Sequence, residues 1–126
     1  MSALLLDAGA LVAIDKGDPR IAVILRVAQR ERLPLRTSAA VVAQVWRDGA
    51  KQVNLGRALR GVSVRPLDSE SARRAGELLG ASGTSDVVDA HFALSVDSDD
   101  RVLTSDTEDV RRLLHTRGVE ARIVEV

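Results

Sequence analysis

The chain has 126 residues, no cysteine, and 18 basic and 18 acidic residues that give a formal net charge of zero. This length suits one domain, spanning residues 1–126, and the lack of cysteine excludes disulfides, zinc thiolates and thiol nucleophiles. Asp7 interrupts the first apolar run, and no apolar stretch reaches the roughly 18 residues of a membrane helix, so we expect a soluble cytoplasmic protein without membrane contact.

Short strand-like runs alternate with longer helical segments along the chain, a pattern typical of an α/β domain. We predict a central, mainly parallel sheet of about five strands flanked by helices. The strands are predicted at 3–6, 35–37, 63–67, 101–104 and 121–124. The helices are predicted at 8–15, 20–32, 39–48, 54–60, 69–80, 86–96 and 107–117, from their periodicity and capping residues.

The charges are segregated along the chain although they sum to zero. From residue 20 to residue 74 the bases outnumber the acids about three to one, whereas from 86 to 109 eight acids face only Arg101. This arrangement could surround a carboxylate pocket with phosphate-attracting arginines, or it could form ordinary solvated faces. The only aromatic residues are Trp46 and Phe92, so we expect Trp46 in the core or in an interface rather than stacked on bases.

Three aspartates lie where an apolar run ends or an apolar helix begins. Asp7 and Asp106 follow predicted strands, and Asp89 falls in the first turn of a helix that is apolar nearly all round. In parallel sheets, ligands bind outside the carboxyl ends of the strands. Two carboxylates about 4 Å apart repel by roughly 4 kcal/mol at an effective dielectric near 20, and a divalent cation would offset that repulsion. The three aspartates therefore indicate a metal site.

Helix capping is the alternative explanation for these acids. Asp86 with Asp89, and Asp106 with Asp109, have the spacing of a cap residue and its partner three positions later. Asp7 could cap the helix that follows it. Capping and metal binding both remain open for Asp7, Asp86, Asp89 and Asp106, whereas Asp109 is considered only for capping.

Four motifs resemble the PIN domain, specifically the VapC-type ribonuclease toxins of bacterial toxin–antitoxin modules. They are LLLDAGALVA, TSAAVVAQVWR, DVVDAHFAL and VLTSDTEDV, and the resemblance runs across the whole chain in order and spacing. It implies a metal-dependent endoribonuclease that uses Mg²⁺, with Mn²⁺ as a possible substitute. It further implies an RNA substrate, a cognate antitoxin that blocks the pocket, and a homodimer.

The resemblance also assigns roles to individual residues of the pocket. Catalytic and metal-binding acids map onto Asp7, Asp89 and Asp106, and pocket hydroxyls onto Ser38, Thr104 and Ser105.

One position departs from the family pattern. Gln44 stands where VapC-like domains usually carry a glutamate, and an amide supplies no charge and no base. By analogy with losses around metal ligands, affinity for the metal could fall roughly 10- to 100-fold. Asp48 or Asp86 could compensate, and Asp86 is the better candidate because it lies nearer the expected pocket.

Other polar residues are weaker candidates for the site. Arg47, next to the Gln44 face, is a candidate phosphate contact or an ordinary surface arginine. His91 should face away from Asp89 on its helix, and His115 should lie on an exposed helix, so we expect both to be structural or solvent-facing.

Two other functions remain open from the sequence. Gln44 could mark a catalytically weakened or inactive PIN-like domain that serves as a binding module. The other is a receiver-like phosphoacceptor domain that would use Asp68 and Thr104, and the absence of any lysine after Lys51, where its last strand should supply one, counts against it.

Overall fold

Five parallel strands form one sheet in the computed structural model, which describes residues 2–126. The strands are β1 (Leu4–Leu6), β2 (Leu35–Ser38), β3 (Val62–Arg65), β4 (Arg101–Thr104) and β5 (Arg122–Glu125), in the order β3-β2-β1-β4-β5. Every neighbouring pair is parallel. The predicted α/β class and parallel sheet are therefore confirmed.

The strand order contradicts the receiver-like interpretation. Receiver domains have the order 2-1-3-4-5, in which the third strand lies next to the first. Here β3 is an edge strand that pairs only with β2. Asp68, the expected phosphoacceptor, instead caps a helix, where its Oδ1 accepts a hydrogen bond from the N–H of Ser71 at 2.9 Å.

The helices flank the sheet in two groups. They are α1 (Ala8–Asp15), α2 (Pro19–Arg30), α3 (Ala39–Val45), α4 (Val53–Leu59), α5 (Ser69–Ser82), α6 (Val87–Leu94) and α7 (Thr107–Arg117). α1 packs against α2, α3 and α4, and α5, α6 and α7 pack against one another. The two groups meet where α3 packs against α6. Within residues 2–126, no helix is both long and apolar enough to cross a membrane.

The hydrophobic core is centred on β1, because this strand is the middle one of the five. Leu4, Leu5 and Leu6 are all buried, as expected for a continuous apolar run in the middle of a parallel sheet. Phe92 of α6 is fully buried against the same core.

Several predicted element ends were wrong, and each has a local cause. α2 stops at Arg30 because Arg32 adopts a left-handed conformation with φ of 57°. β3 stops before Pro66, which has no N–H to donate. α3 ends at Val45 rather than near residue 48, because the Gln52 side-chain oxygen accepts the N–H groups of Arg47 and Asp48 at 2.7 and 3.0 Å.

Candidate metal centre

The register of β1 and β4 brings two polar side chains together at the carboxyl edge of the sheet. Leu6 is paired with Leu103, so Asp7 and Thr104 follow side by side. The Thr104 hydroxyl donates to Asp7 Oδ2 at 2.7 Å and accepts the N–H of Asp106 at 2.9 Å. One threonine hydroxyl therefore positions an acid after β1 and the backbone of an acid after β4.

Asp7 also caps α1, as the capping alternative predicted. Its Oδ1 accepts the N–H of Ala8 at 2.8 Å, so both carboxylate oxygens have a hydrogen-bond donor. Asp7 is only 5% exposed. Burial raises its pKa, the hydrogen bonds from Thr104 and Ala8 oppose that rise, and the charge of Asp86 adds to it.

Three further carboxylates meet at the same edge of the sheet as Asp7. Asp89, Asp106 and Asp109 each place an oxygen so that the three oxygens lie within 4.8 Å of one another. Asp89 and Asp109 are each the third residue of a helix, α6 and α7, and Asp106 directly precedes α7. The positive ends of these two helix dipoles therefore face the acids and offset part of their repulsion.

The repulsion that remains raises the pKa values of Asp89 and Asp106. Burial, reinforced by the charges of Asp86, Asp7, Asp106 and Asp109, raises the pKa of Asp89 to about 7. The pKa of Asp106 is also raised, first by partial burial and then by the adjacent Asp109. A divalent cation that prefers oxygen ligands fits these carboxylates, because its positive charge would offset their mutual repulsion.

The three predicted metal-binding acids lie at one edge of the sheet, and the structure adds a fourth acid. Asp89 and Asp106 belong to the three-carboxylate group, while Asp7 lies behind it, close enough for its charge to raise the pKa of both. The addition is Asp109, which sequence reasoning treated only as a capping residue. Its spacing of three residues from Asp106 was the available signal, since such positions share one side of a helix start.

The capping interpretation holds for Asp86 and fails for Asp106. Asp86 caps α6, accepting the N–H of Asp89 on its Oδ1 at 3.0 Å. Asp106 makes no side-chain cap bond to α7. The Asp109 N–H nevertheless lies near the Asp106 carboxylate and partly opposes the rise in the pKa of Asp106.

The predicted hydroxyl residues differ in their surroundings. Ser38 is buried and caps α3, with its oxygen accepting the N–H of Val41 at 3.2 Å. Ser105 is exposed and lies against the first turn of α1, where a Cβ on Gly9 would be 2.8 Å from Ser105 Cβ. Residue 9 must therefore be glycine for α1 and the segment before α7 to approach this closely.

The residues predicted on and after α3 are all exposed. Gln44 lies in its last turn and is outside the three-carboxylate group. The Arg47 guanidinium donates to the carbonyls of Ala43 at 3.0 Å and Trp46 at 2.6 Å, which closes the end of α3. Asp48 accepts the N–H of Ala50 at 3.0 Å.

The histidines lie outside the acid cluster. His91 is 2% exposed, and its Nε2 lies 3.1 Å from the carbonyl oxygen of Pro66, which can only accept a hydrogen bond. Nε2 therefore carries the proton, and His91 joins α6 to the end of β3. His115 is exposed on α7, as predicted.

Comparison with solved structures agrees with this geometry at the level of the fold. The parallel sheet, its flanking helices and the edge acids define a PIN-like α/β domain. The chain is similar to a chain in the structure of VapBC2 from Rickettsia felis bound to a DNA fragment from their promoter, with a TM-score of 0.69 and 14% identity over 98% of both chains. No protein-family model matches the sequence, and no curated protein matches it. An identity this low establishes a shared fold alone.

Proposed function

We propose that this chain is a metal-dependent endoribonuclease and the toxin of a toxin–antitoxin module. The observation that carries the proposal is the convergence of the Asp89, Asp106 and Asp109 carboxylates within 4.8 Å at the carboxyl edge of a PIN-like sheet. Such a group suits Mg²⁺, with Mn²⁺ as a substitute, because both prefer oxygen ligands. The bound ion would activate water and offset charge on the attacked phosphate.

The residues of the site would have different roles in this nuclease. Asp89, Asp106 and Asp109 would hold the ion, and Asp7 would add negative charge behind them while Thr104 keeps it in place. A cavity of about 210 Å³ beside Asp89 and Asp109 would admit the substrate, and the hydroxyls of Thr84 and Ser85 lie on its wall. Asp86, on the same wall, would add further charge.

The wider biological role belongs to the same proposal. The similar fold of a chain in the VapBC2 structure supports a protein partner that acts as antitoxin, and the resemblance to VapC-type toxins supports RNA as the substrate. A homodimer follows from the same resemblance, and a cytoplasmic place of action fits the cysteine-free sequence.

RNA cleavage tests the proposal. Purified protein should cleave single-stranded RNA with Mg²⁺ or Mn²⁺ and should stop when EDTA is added. Asp89→Asn should lower the rate about 100-fold or more, because the ion would lose a charged ligand. Glu108→Gln is the matched control, since Glu108 is an exposed acid on α7 outside the three-carboxylate group. Full activity of Asp89→Asn, or cleavage that persists in EDTA, would contradict the proposal.

Gln44 favours a second candidate function, a binding module that has lost catalysis. It is exposed near the end of α3 and brings no charge to the site. In that case calorimetry should detect no binding of Mg²⁺ or Mn²⁺ at millimolar concentration, and Gln44→Glu should restore it. Binding by the unmodified protein would favour the nuclease.

A further inference from the structure

Trp46 is the only tryptophan of the chain, and it lies at the surface directly after α3 with 37% of its area exposed. Two glycines make room for its ring. A Cβ on Gly49 would lie 2.9 Å from Trp46 Cζ2, and a Cβ on Gly56 would lie 3.6 Å from Cη2. The six-membered ring therefore rests against the backbone of the turn after α3 and of α4, and part of the indole remains open to solvent.

The backbone that carries this ring is fixed by one side chain. Gln52 accepts the N–H groups of Arg47 and Asp48 on its Oε1, and its Nε2 donates to the carbonyl of Val45 at 3.0 Å. These bonds hold the segment on both sides of Trp46. A ligand that stacks on the indole would meet a preformed surface and would lose little affinity in ordering it.

The surroundings of the ring are basic. Between residues 46 and 60 the chain has one acid, Asp48, and four bases, which are Arg47, Lys51, Arg57 and Arg60. Among residues 2–126, none of these bases makes an ion pair within 4.0 Å. Gly56 and Arg60 are four residues apart, so the Arg60 side chain starts from the face of the α4 segment that the ring contacts.

We infer that Trp46 is a stacking platform for a base of single-stranded nucleic acid, with phosphates held by Lys51, Arg57 and Arg60. An exposed aromatic ring beside lysine and arginine side chains that make no ion pairs is the combination by which proteins bind single-stranded nucleic acid without reading its sequence. A protein partner would favour a wider apolar face, whereas Val53 is the exposed apolar side chain that the same segment adds. The exposure of Trp46 contradicts a place in the core, and the inference takes stacking in place of the interface that was the other expectation.

The position of the platform relates it to the acids. α3 starts at the carboxyl edge of the sheet, where Ser38 ends β2, and its seven residues span about 10 Å. Trp46 follows the far end of this helix. The inference rests on the proposed function in naming RNA as the bound strand, which would run from the platform towards the acid cluster.

Intrinsic fluorescence tests the platform directly, because the chain has one tryptophan and no tyrosine. A mixed-sequence single-stranded 12-mer RNA, titrated into the unmodified full chain in EDTA, should quench Trp46 emission to saturation. A single-stranded DNA 12-mer of the same sequence is titrated in parallel. Quenching by RNA alone or by both strands supports the platform, and the comparison shows whether the ribose contributes.

Variants separate stacking from folding. In fluorescence anisotropy with labelled RNA, Trp46→Leu should weaken binding about fivefold or more, and Trp46→Phe should weaken it less because a ring remains. Val23→Ala is the matched control, since Val23 is 54% exposed on α2, and it should leave RNA affinity unchanged. Thermal unfolding identifies any variant that fails to fold, and the titration of the unmodified chain does not depend on the variants.

The outcomes distinguish this inference from the proposed nuclease. RNA binding without a change in Trp46 emission, or no RNA binding at all, would overturn the platform. So would equal RNA affinity of Trp46→Leu and the unmodified chain. An emission shift to shorter wavelength on adding a second protein, with no response to RNA, would assign the surface to a protein contact and also overturn it. Quenching that persists in Asp89→Asn while cleavage is lost would support both.

Discussion

Thr104 connects the two strands that carry the candidate site. Its hydroxyl donates to Asp7 and accepts from the backbone of Asp106, so both of its hydrogen bonds involve acidic residues of the site. Asp7 is nearly buried, and a carboxylate there without this donor would be costly. We therefore expect the residue to matter for both stability and metal binding.

Thr104→Val should lower the free energy of unfolding by about 1–3 kcal/mol, because Asp7 would lose a buried hydrogen bond. It should also weaken Mn²⁺ binding roughly 10- to 100-fold, as expected when a residue that orients metal-binding acids is lost. Urea denaturation and calorimetry measure the two effects. Thr104→Ser keeps the hydroxyl and should retain most of both; a Val variant that matches the unmodified chain would show that the hydroxyl is dispensable.

Asp89 predicts a pH dependence of stability. Its carboxyl has a pKa of about 3.9 in an unfolded chain, and burial and neighbouring acids raise that pKa to about 7 in the fold. The folded state therefore holds the proton more tightly, and the unfolding free energy of the metal-free protein should fall as pH rises from about 4 to about 7. Above pH 7 the contribution of Asp89 should be constant.

Thermal unfolding in EDTA between pH 4 and 8 measures this slope. Asp89→Asn should flatten it and should stabilise the metal-free protein at pH 8, since the asparagine carries no charge into the cluster. Mn²⁺ affinity should rise over the same interval, because the metal displaces a proton from Asp89. A slope that is unchanged in Asp89→Asn would place its origin elsewhere.

At the scale of the elements, the first turn of α1 and the segment before α7 are fitted to each other. Gly9 leaves the space that Ser105 occupies, and a Cβ there would lie 2.8 Å from Ser105 Cβ and 3.2 Å from its backbone nitrogen. A backbone atom cannot move aside as a flexible side chain can. The approach of α1 therefore limits where Asp106, the next residue, can lie.

Gly9→Ala should destabilise the protein by about 1–3 kcal/mol through overpacking, and it should weaken Mn²⁺ binding by displacing Asp106. Ser105→Gly combined with Gly9→Ala should recover part of both losses, because the nearest clashing atoms would be gone. A double-mutant cycle on urea denaturation measures the recovery. Additive effects of the two substitutions would show that residues 9 and 105 do not interact.

The elements also show which features of the fold were predictable from sequence. β4 and α7 have the predicted bounds because their signals are local, with an apolar run that ends before Asp106 and a glycine after Arg117. The end of α3 was not predictable, since it depends on hydrogen bonds from Gln52, seven residues beyond Val45. Asp109 was missed for a similar reason. Its approach to Asp89 depends on how α6 and α7 pack, which periodicity does not specify.

At the scale of the whole molecule, Asp100 connects several segments at the amino edge of the sheet, opposite the candidate metal centre. It is fully buried, and it accepts the N–H of Ala3 and the N–H of Asp97, each at 2.8 Å. Arg36 lies 3.5 Å from the same carboxylate. One acid therefore ties together the starts of β1 and β4 and a side chain from β2, far from the candidate metal centre.

Asp100→Ala should lower the free energy of unfolding by about 2–5 kcal/mol, because the N–H groups of Ala3 and Asp97 would lose their acceptor, although Arg36 keeps its contact with Asp97 at 3.4 Å. Urea denaturation measures the change, and Asp99→Asn should have little effect, because Asp99 is exposed and asparagine tolerates its left-handed conformation with φ of 72°. Metal affinity of the folded fraction should stay the same. A small destabilisation would show that water replaces the carboxylate at this edge.

The acids at the carboxyl edge should form one cation site, and a crystal soaked in Mn²⁺ tests this most directly. Anomalous scattering should show a Mn²⁺ peak within coordination distance of carboxylate oxygens from Asp89, Asp106 and Asp109. Asp7 should remain hydrogen-bonded to Thr104 in that structure. Absence of a peak at millimolar Mn²⁺ and pH 8, or a peak held by other residues, would contradict the account.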